Sequence, residues 1–376
     1  MKIGYDAKRA FNNAAGLGNF SRNTIRALSR QFPNNQYFLF HPGTRRSLFS
    51  MPENAVVVKP ETFWGKTMRN IWRSFYIAKL VKRHKLDIYH GLSHELPFGI
   101  HRTGVPSVVT IHDLIYLRFP QYYQKIDRSI YNRKFRYSCK FATRIHAISE
   151  QTKQDLMSYF FVPEEKIKVV YQSINPVFFE RVTENQKKEV RKKFQLPPRF
   201  VLTVGTVEPR KNILGLLEGM IQSQTYVPLV VVGKLTDFQQ KVQKFIEADM
   251  NRLDVLFLSD VTDDELATIY QMADVMVYPS FFEGFGLPVA EAQACGCPVI
   301  TSFTSSLPET GGDAAIYINP EKPEDIGTSL ANLLGDTAKR EEMTVKGLVN
   351  AQRFAPAAYA RQMKQLYLTT IDERGY

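Results

Sequence analysis

The chain has 376 residues, 44% hydrophobic and 23% charged, which is long enough for two domains with full cores and ordinary for a globular protein. No stretch approaches the roughly 20 apolar residues of a membrane-spanning helix. Three cysteines are too few for a disulfide framework, and a first strand that starts at Lys2 predicts no signal peptide; both point to a reduced, cytoplasmic setting. The net charge of +12 is uneven: residues 1–178 carry 28 Lys+Arg against 11 Asp+Glu, and the remainder 21 against 26. The first half is expected to meet something anionic. A membrane surface fits better than nucleic acid, because no helix-turn-helix, zinc-finger or RNA-binding signature is present.

Lys2-Ile-Gly-Tyr-Asp6 reads as an opening strand. A glycine-bearing loop over residues 12–19 follows, then a helix over 20–29 with Phe20, Ile25 and Leu28 on its apolar side. Strand, Gly16-x-Gly18 loop and helix start form either a phosphate cradle or a plain tight turn. Residues 37–40 and 55–58 are further strands. Over residues 66–85, Met68, Ile71, Trp72, Phe75, Ile77, Leu80 and Val81 share most of one helical face, with Arg69, Arg73, Lys79, Lys82 and Arg83 elsewhere. Such a helix lies on anionic lipid or packs its stripe against the sheet.

Asp87-Ile-Tyr89 is a short strand. Residues 105–111 form a strongly apolar one that ends in His112-Asp113, at the strand end where α/β sheets place ligands. Residues 122–144 interleave cations with aromatics; an aromatic core face with solvated charges is preferred to a single-stranded nucleic-acid site. Residues 143–148 give a strand, Ser149 caps the next helix, and Ile174-Asn-Pro176 is a turn-prone hinge.

In the second half, residues 181–199 read as a charged helix and linker. A buried strand over 200–204 runs into Gly205-Thr206-Val-Glu-Pro-Arg210-Lys211-Asn212 and an apolar helix from Ile213. Two adjacent cations at a helix start oppose its dipole unless an anion joins them, and a diphosphate suits both. Residues 228–234 repeat the strand-then-glycine pattern, and 255–258 lead to Ser259-Asp260-Val261. A strand over 274–278 meets the loop Phe281-Phe-Glu-Gly-Phe-Gly286, after which Leu287-Pro288 opens a helix. Glu283 lies on that loop and Glu291 on the helix. Amide donors and two carboxylates suit a sugar nucleotide; a strand–loop–helix unit with surface glutamates is the plain alternative. Cys295 and Cys297 have no companion ligand cluster and read as packing residues. Residues 323–334, 337–353 and 357–371 look helical.

Glu283-Gly-Phe-Gly-Leu-Pro288 with Glu291, Cys295-Gly-Cys-Pro-Val-Ile300, the Gly205-Thr206…Arg210-Lys211-Asn212 string and His146-Ala-Ile-Ser-Glu-x-Thr152 together resemble the retaining glycosyltransferases of family four, in the expected order along nearly the whole chain. The resemblance implies the GT-B fold, an α/β architecture of two doubly wound Rossmann-like domains facing a cleft. It divides the chain into an acceptor-side domain at 1–175, a nucleotide-sugar domain at 176–354 and a closing helix at 355–376 that crosses back. It places Gly16 and Gly18 near the donor phosphates and His112 against the donor hexose, with Asp113 orienting that ring or meeting the acceptor. Gly205, Thr206, Arg210 and Lys211 take the diphosphate, and Asp260 and Val261 lie against the base. Glu283, with the backbone of Gly284, Phe285, Gly286 and Leu287, takes the sugar, and Glu291 the ribose. No divalent metal or resident cofactor is implied. Same-face attack is the expected route, with double displacement through Glu283 left open.

Gly16-Leu-Gly-Asn19 and His112-Asp-Leu114 are most similar to bacterial mannosyltransferases of surface polysaccharide and lipopolysaccharide synthesis. That implies GDP-mannose first and a UDP-sugar second as donor, with a glycan or lipid-linked acceptor. It also implies a cytoplasmic protein, peripheral on the inner face of the plasma membrane, that binds no nucleic acid. A sugar-nucleotide epimerase and a non-catalytic anionic-surface binder are the rival readings.

Overall fold

The computed structural model describes residues 1–13, 16–43, 48–61, 67–248 and 253–373. They form two compact units, one of Met1–Ser173 with the segment from Pro356 onward, the other of Ile174–Ala355. Each is built on an all-parallel sheet.

The first sheet contains β1 (Lys2–Asp6), β2 (Gln36–Phe40), β3 (Ala55–Val58), β4 (Ile88–Gly91), β5 (Ser107–Ile111), β6 (Arg144–Ala147) and β7 (Ile167–Val169). Their order is β3-β2-β1-β4-β5-β6-β7. All five residues of β5 are buried, as expected of a strand covered by helices on both faces. The chain adds strands on one side of β1 and then jumps to the other, so the order reverses between β1 and β4, where loops diverge and leave a crevice at the carboxyl ends.

The second sheet contains β8 (Val201–Val204), β9 (Leu229–Val232), β10 (Val255–Leu258), β11 (Val275–Tyr278), β12 (Val299–Ser302) and β13 (Ala315–Ile318), in the order β10-β9-β8-β11-β12-β13. Its reversal falls between β8 and β11. Val201, Val231, Val275, Val277 and Ile300 build the core with Leu216, Leu217 and Leu330 from covering helices.

The closing helix, Pro356–Asp372, packs on the Gly16–Gln31 helix of the first unit, where the Tyr359 hydroxyl meets Thr24 Oγ1 at 2.9 Å. Ser149 accepts from the Thr152 N–H at 3.0 Å and caps the Glu150–Phe160 helix, as its sequence predicts.

Two expectations need correction. The loop expected over 12–19 is largely helix: Gly16 and Gly18 lie in the first turn of Gly16–Gln31, while Ala14 and Ala15 are outside the described residues. The single amphipathic helix over 66–85 is broken into Arg69–Ile71, a π-helical turn at Trp72–Tyr76, and Ile77–Arg83, with Lys66 outside the described residues. The wider turn changes the facing of every residue after it. Arg73 consequently points inward, paired with Asp6 and Glu95, and is not a lipid-facing cation. Of the apolar face read from the periodicity, Met68, Ile71 and Phe75 are exposed, as is Tyr76, while Trp72, Ile77, Leu80 and Val81 are buried.

Candidate active site

The loops that leave β8 and β11, the two strands flanking the second reversal, carry Arg210, Lys211 and Glu283. Pro209–Lys211 forms a 3-10 turn immediately before the Ile213–Gln222 helix. Asn212 between them adopts a left-handed φ of 55°, which turns the chain sharply and presents both preceding cations at the sheet's edge. Gly205, at φ 142°, lets the Lys211 stem cross over it: a Cβ there would lie 3.2 Å from Lys211 Cε. Its role is thus steric. Thr206 beside it is half-buried.

Glu283 Oε1 lies 2.6 Å from Lys211 Nζ and 2.7 Å from Arg210. Arg210 also donates to the Phe282 carbonyl at 2.6 Å and pairs with Glu208, and Lys211 donates to the Tyr278 hydroxyl. Burial pushes the Glu283 carboxyl up, but the two cations outweigh it and hold it at about 2. One buried carboxylate thus sits between two half-buried positive charges, the arrangement that the phosphates of a nucleotide would compete for.

The end of β11 and the Glu283 loop are fastened by β12 and the segment that follows it. Thr301 Oγ1 donates to the Tyr278 carbonyl at 2.9 Å, Thr304 to Phe281 at 3.0 Å, Ser306 to Glu283 at 2.9 Å and Thr310 to Phe285 at 2.6 Å. The Glu283 N–H itself donates to Ser305 Oγ at 3.0 Å. Gly286, at φ 99°, makes the left-handed step into the Leu287–Ala294 helix, with Pro288 in its first turn. Gly284 is half-buried, while Phe285 is 2% exposed and packs edge-on against Phe354 with ring centroids 5.4 Å apart. Of the expected sugar-binding loop, Phe285 therefore contributes only backbone.

Glu291 projects from that helix and accepts from the Tyr270 hydroxyl at 3.2 Å. Burial first, and the nearby Asp263 second, raise its carboxyl to about 8, against the opposing Tyr270 bond. Asp263 is held in turn by Asn175 Nδ2 at 2.8 Å. Asp260 and Val261 lie on the loop after β10; Asp260 is exposed and in a left-handed conformation at φ 56°. Among the described residues, no three His, Cys, Asp or Glu side chains converge as a metal cluster. Cys295 and Cys297 are buried, free thiols pushed above the usual thiol range by burial.

The remaining expected site residues belong to the first unit. His112 is buried; its Nε2–H donates to the Leu92 carbonyl at 2.9 Å, and the ring packs edge-on against Phe20 with centroids 4.5 Å apart. Burial lowers it to about 4 despite that bond, with Arg9 adding to the effect, so the ring is neutral at physiological pH. Leu92 sets its orientation, while Asp113 accepts from the Ile115 N–H at 3.1 Å. Gly18 is required by close packing, since a Cβ there would collide with the Asn13 carbonyl, and Gly16 has open space around it.

Several residues here were not singled out by motif: Tyr278 on Lys211, Tyr270 and Asp263 around Glu291, and the Ser/Thr fasteners. Only the last leave a sequence signal, the hydroxyl-rich run Thr301-Ser-Phe-Thr-Ser-Ser306.

The profile described as Glycosyltransferase Family 4 matches residues 14–178, and that described as Glycosyl transferases group 1 matches residues 184–348. The O-antigen chain mannosyltransferase B of Escherichia coli is 32% identical over 284 residues, covering 74% of this chain and 73% of that protein. The serotype-specific mannosyltransferase WbdA, also of Escherichia coli, is 28% identical over 72% of this chain but only 34% of its own length. Among solved structures, the sucrose-phosphate synthase of Thermosynechococcus elongatus superposes with a TM-score of 0.77 at 19% identity, covering 99% of this chain and 100% of that one. That likeness confirms the two doubly wound domains of the GT-B fold. With each half matched and a relative of 32% identity spanning most of both sequences, the chain belongs to glycosyltransferase family 4.

Proposed function

We propose that this glycosyltransferase is a retaining hexosyltransferase that takes mannose from GDP-mannose, ahead of a UDP-sugar, and passes it to a glycan or lipid-linked acceptor of a bacterial surface polysaccharide. The observation that carries the reading is the pair of half-buried cations, Arg210 and Lys211, closed on Glu283 at the reversal of the second sheet. The mannosyl preference is supported by the relatives, which are named as mannosyltransferases. Those names also favour transfer over epimerisation.

In this reading the donor diphosphate takes over the two cations, and Glu283 turns to the hydroxyls of the hexose. The bond between the anomeric carbon and the phosphate oxygen breaks as negative charge builds on the diphosphate, which Arg210 and Lys211 stabilise more strongly in the transition state than in the ground state. The acceptor oxygen bonds to the anomeric carbon on the same face, and its proton passes to the departing phosphate. Neutral His112 positions by hydrogen bonding and shape rather than by proton transfer.

Release of GDP from GDP-mannose tests the assignment. Lys211→Ala should lower turnover by about 10²-fold or more and leave the protein folded, because Glu283 keeps Arg210 as a partner and no buried charge is stranded. Near-normal turnover in Lys211→Ala would overturn the assignment.

A further inference from the structure

Lys211 is guided along its stem and held at its tip. The stem crosses Gly205, where a Cβ would lie 3.2 Å from Cε. The ammonium donates to two groups among the described residues, Glu283 Oε1 at 2.6 Å and the Tyr278 hydroxyl. We propose that Tyr278 is a positioning residue for transfer, whose hydroxyl keeps Lys211 directed at the donor diphosphate once Glu283 has turned to the hexose. This role rests on the donor reading above.

Tyr278 ends β11 and is 2% exposed. Neighbouring β12 fixes its backbone: Tyr278 is in register with Thr301, and its carbonyl accepts from Thr301 Oγ1 at 2.9 Å. A phenol fixed in this way is a stationary acceptor, whereas the flexible lysine stem directs its charge only as well as its partners hold it. Lys211 Nζ lies 4.8 Å from the ring centroid, at the hydroxyl end, so the oxygen and not the π face is its partner.

A hydroxyl has one proton to give and lone pairs to accept with. Lys211 uses the accepting side, and Glu283 is within hydrogen-bonding reach of the proton. Lysine, tyrosine and glutamate thus close a ring in the free enzyme. Burial, with Glu283 adding to it, raises the phenol well above the ordinary tyrosine range, so it stays neutral at physiological pH.

The two partners of Lys211 affect an incoming phosphate differently. Glu283 is a carboxylate, and a diphosphate must displace its charge. Tyr278 is neutral and can keep its bond to Nζ while the other ammonium protons turn to phosphate, because an ammonium carries three donors. When Glu283 leaves, Arg210 retains Glu208 and the Phe282 carbonyl, whereas Lys211 retains only Tyr278 among the described residues. Burial lowers the Lys211 ammonium, Glu283 opposes that and Arg210 adds to it. Departure of the carboxylate therefore removes the main support of the charge, and a fixed hydroxyl that accepts from the charged form is the support that stays.

The test is Tyr278→Phe, which keeps the ring and leaves Lys211 paired with Glu283, followed by GDP release from GDP-mannose. kcat should fall by about tenfold to a hundredfold, because the hydroxyl matters where charge builds on the diphosphate. KM and the calorimetric affinity for GDP should stay within about threefold of wild type, since Glu283 still holds Lys211 until a hexose draws it away. In a Lys211→Ala background the same replacement should cost no further turnover, as the group it positions is gone. Tyr278→Phe should melt within about 4 °C of wild type. A wild-type kcat, an equal loss in the Lys211→Ala background, or a melting point lowered beyond that range would each overturn the proposal. The Lys211→Ala single variant keeps the two readings apart. Near-normal turnover there overturns the donor reading and this role with it, whereas a loss of about 10²-fold there beside an unaffected Tyr278→Phe overturns this role alone.

Discussion

Glu283 and Glu291 are two carboxylates eight residues apart with opposite titration behaviour, and the difference follows from their neighbours. Both are buried. Two cations close on Glu283 and keep it ionised, whereas Glu291 faces Asp263 and has only the Tyr270 hydroxyl to support its charge. A carboxyl at about 8 is mostly protonated at pH 7, while a ribose diol is held best by an ionised carboxylate accepting from both hydroxyls. Nucleotide affinity should therefore rise with pH, by about fivefold between pH 7 and pH 8, with a proton released on binding. Asp263→Asn should flatten the profile by removing one of the two causes of the raised value. Isothermal titration of GDP across this range checks it, and a flat wild-type profile would contradict the ribose role of Glu291.

At the level of elements, both units rely on side-chain hydrogen bonds that tie consecutive strands together. In the second unit the Ser/Thr fasteners hold the Glu283 loop against the segment after β12, so the loop is organised before any ligand arrives. In the first unit a buried chain crosses the sheet from the closing helix. Tyr5 meets Tyr367 at 3.2 Å, Tyr367 meets His90 Nδ1 at 2.7 Å, His90 Nε2 meets Thr110 at 2.7 Å, Thr110 meets His146 Nδ1 at 2.9 Å, and His146 Nε2 meets the Val170 carbonyl at 2.8 Å. A carbonyl only accepts, so His146 must donate from Nε2, and with both imidazoles neutral each earlier donor is fixed in turn back to Tyr5.

Burial supports that neutrality. It lowers His146 to about 4 against the Val170 bond, and lowers His90 with help from His146 and His112. A histidine whose folded value lies below its ordinary 6.5 favours the fold above pH 6.5, and that contribution is lost as pH falls toward 4. Segment-resolved hydrogen exchange, corrected for intrinsic rates, should therefore show β5 and β6 less protected at pH 5 than at pH 7. Thr110→Val, which interrupts the chain, should cost about 1–3 kcal/mol at pH 7. Equal protection at both pH values together with a neutral Thr110→Val would contradict the network's role.

For the molecule as a whole, what could be read in advance divides along physical lines. Most strands of both sheets were legible because parallel strands covered on both faces leave continuous runs such as Val201-Leu-Thr-Val204 and Leu229-Val-Val-Val232, whereas β7, β12 and β13 were not picked out. Arg210, Lys211 and Glu283 could be grouped in advance because adjacent cations at a helix start and a carboxylate on a glycine loop stand out from ordinary surface charges, and the structure brings these three together while Glu291 lies on the following helix against Tyr270. Gly16 and Gly18 were misplaced into a loop because glycine is a poor helix former, and only the packing of Asn13 against Gly18 explains its presence in the first turn. Arg73 was misread as a surface cation because helical periodicity assumes a uniform turn, and the π-helical turn breaks it. The partners of His90 and Glu291 arise from contacts between segments far apart in the chain, which no local pattern records.

The central claim is that the second unit binds the donor nucleotide through Arg210, Lys211, Glu283 and Glu291. It is tested most directly by calorimetric titration of GDP-mannose, UDP-glucose, UDP-N-acetylglucosamine, GDP and UDP, first without metal and then with magnesium. The account predicts that GDP-mannose and GDP bind at a single site without metal, and that both Lys211→Ala and Glu291→Ala abolish binding. No binding by any of these nucleotides, or wild-type affinity in both variants, would contradict it.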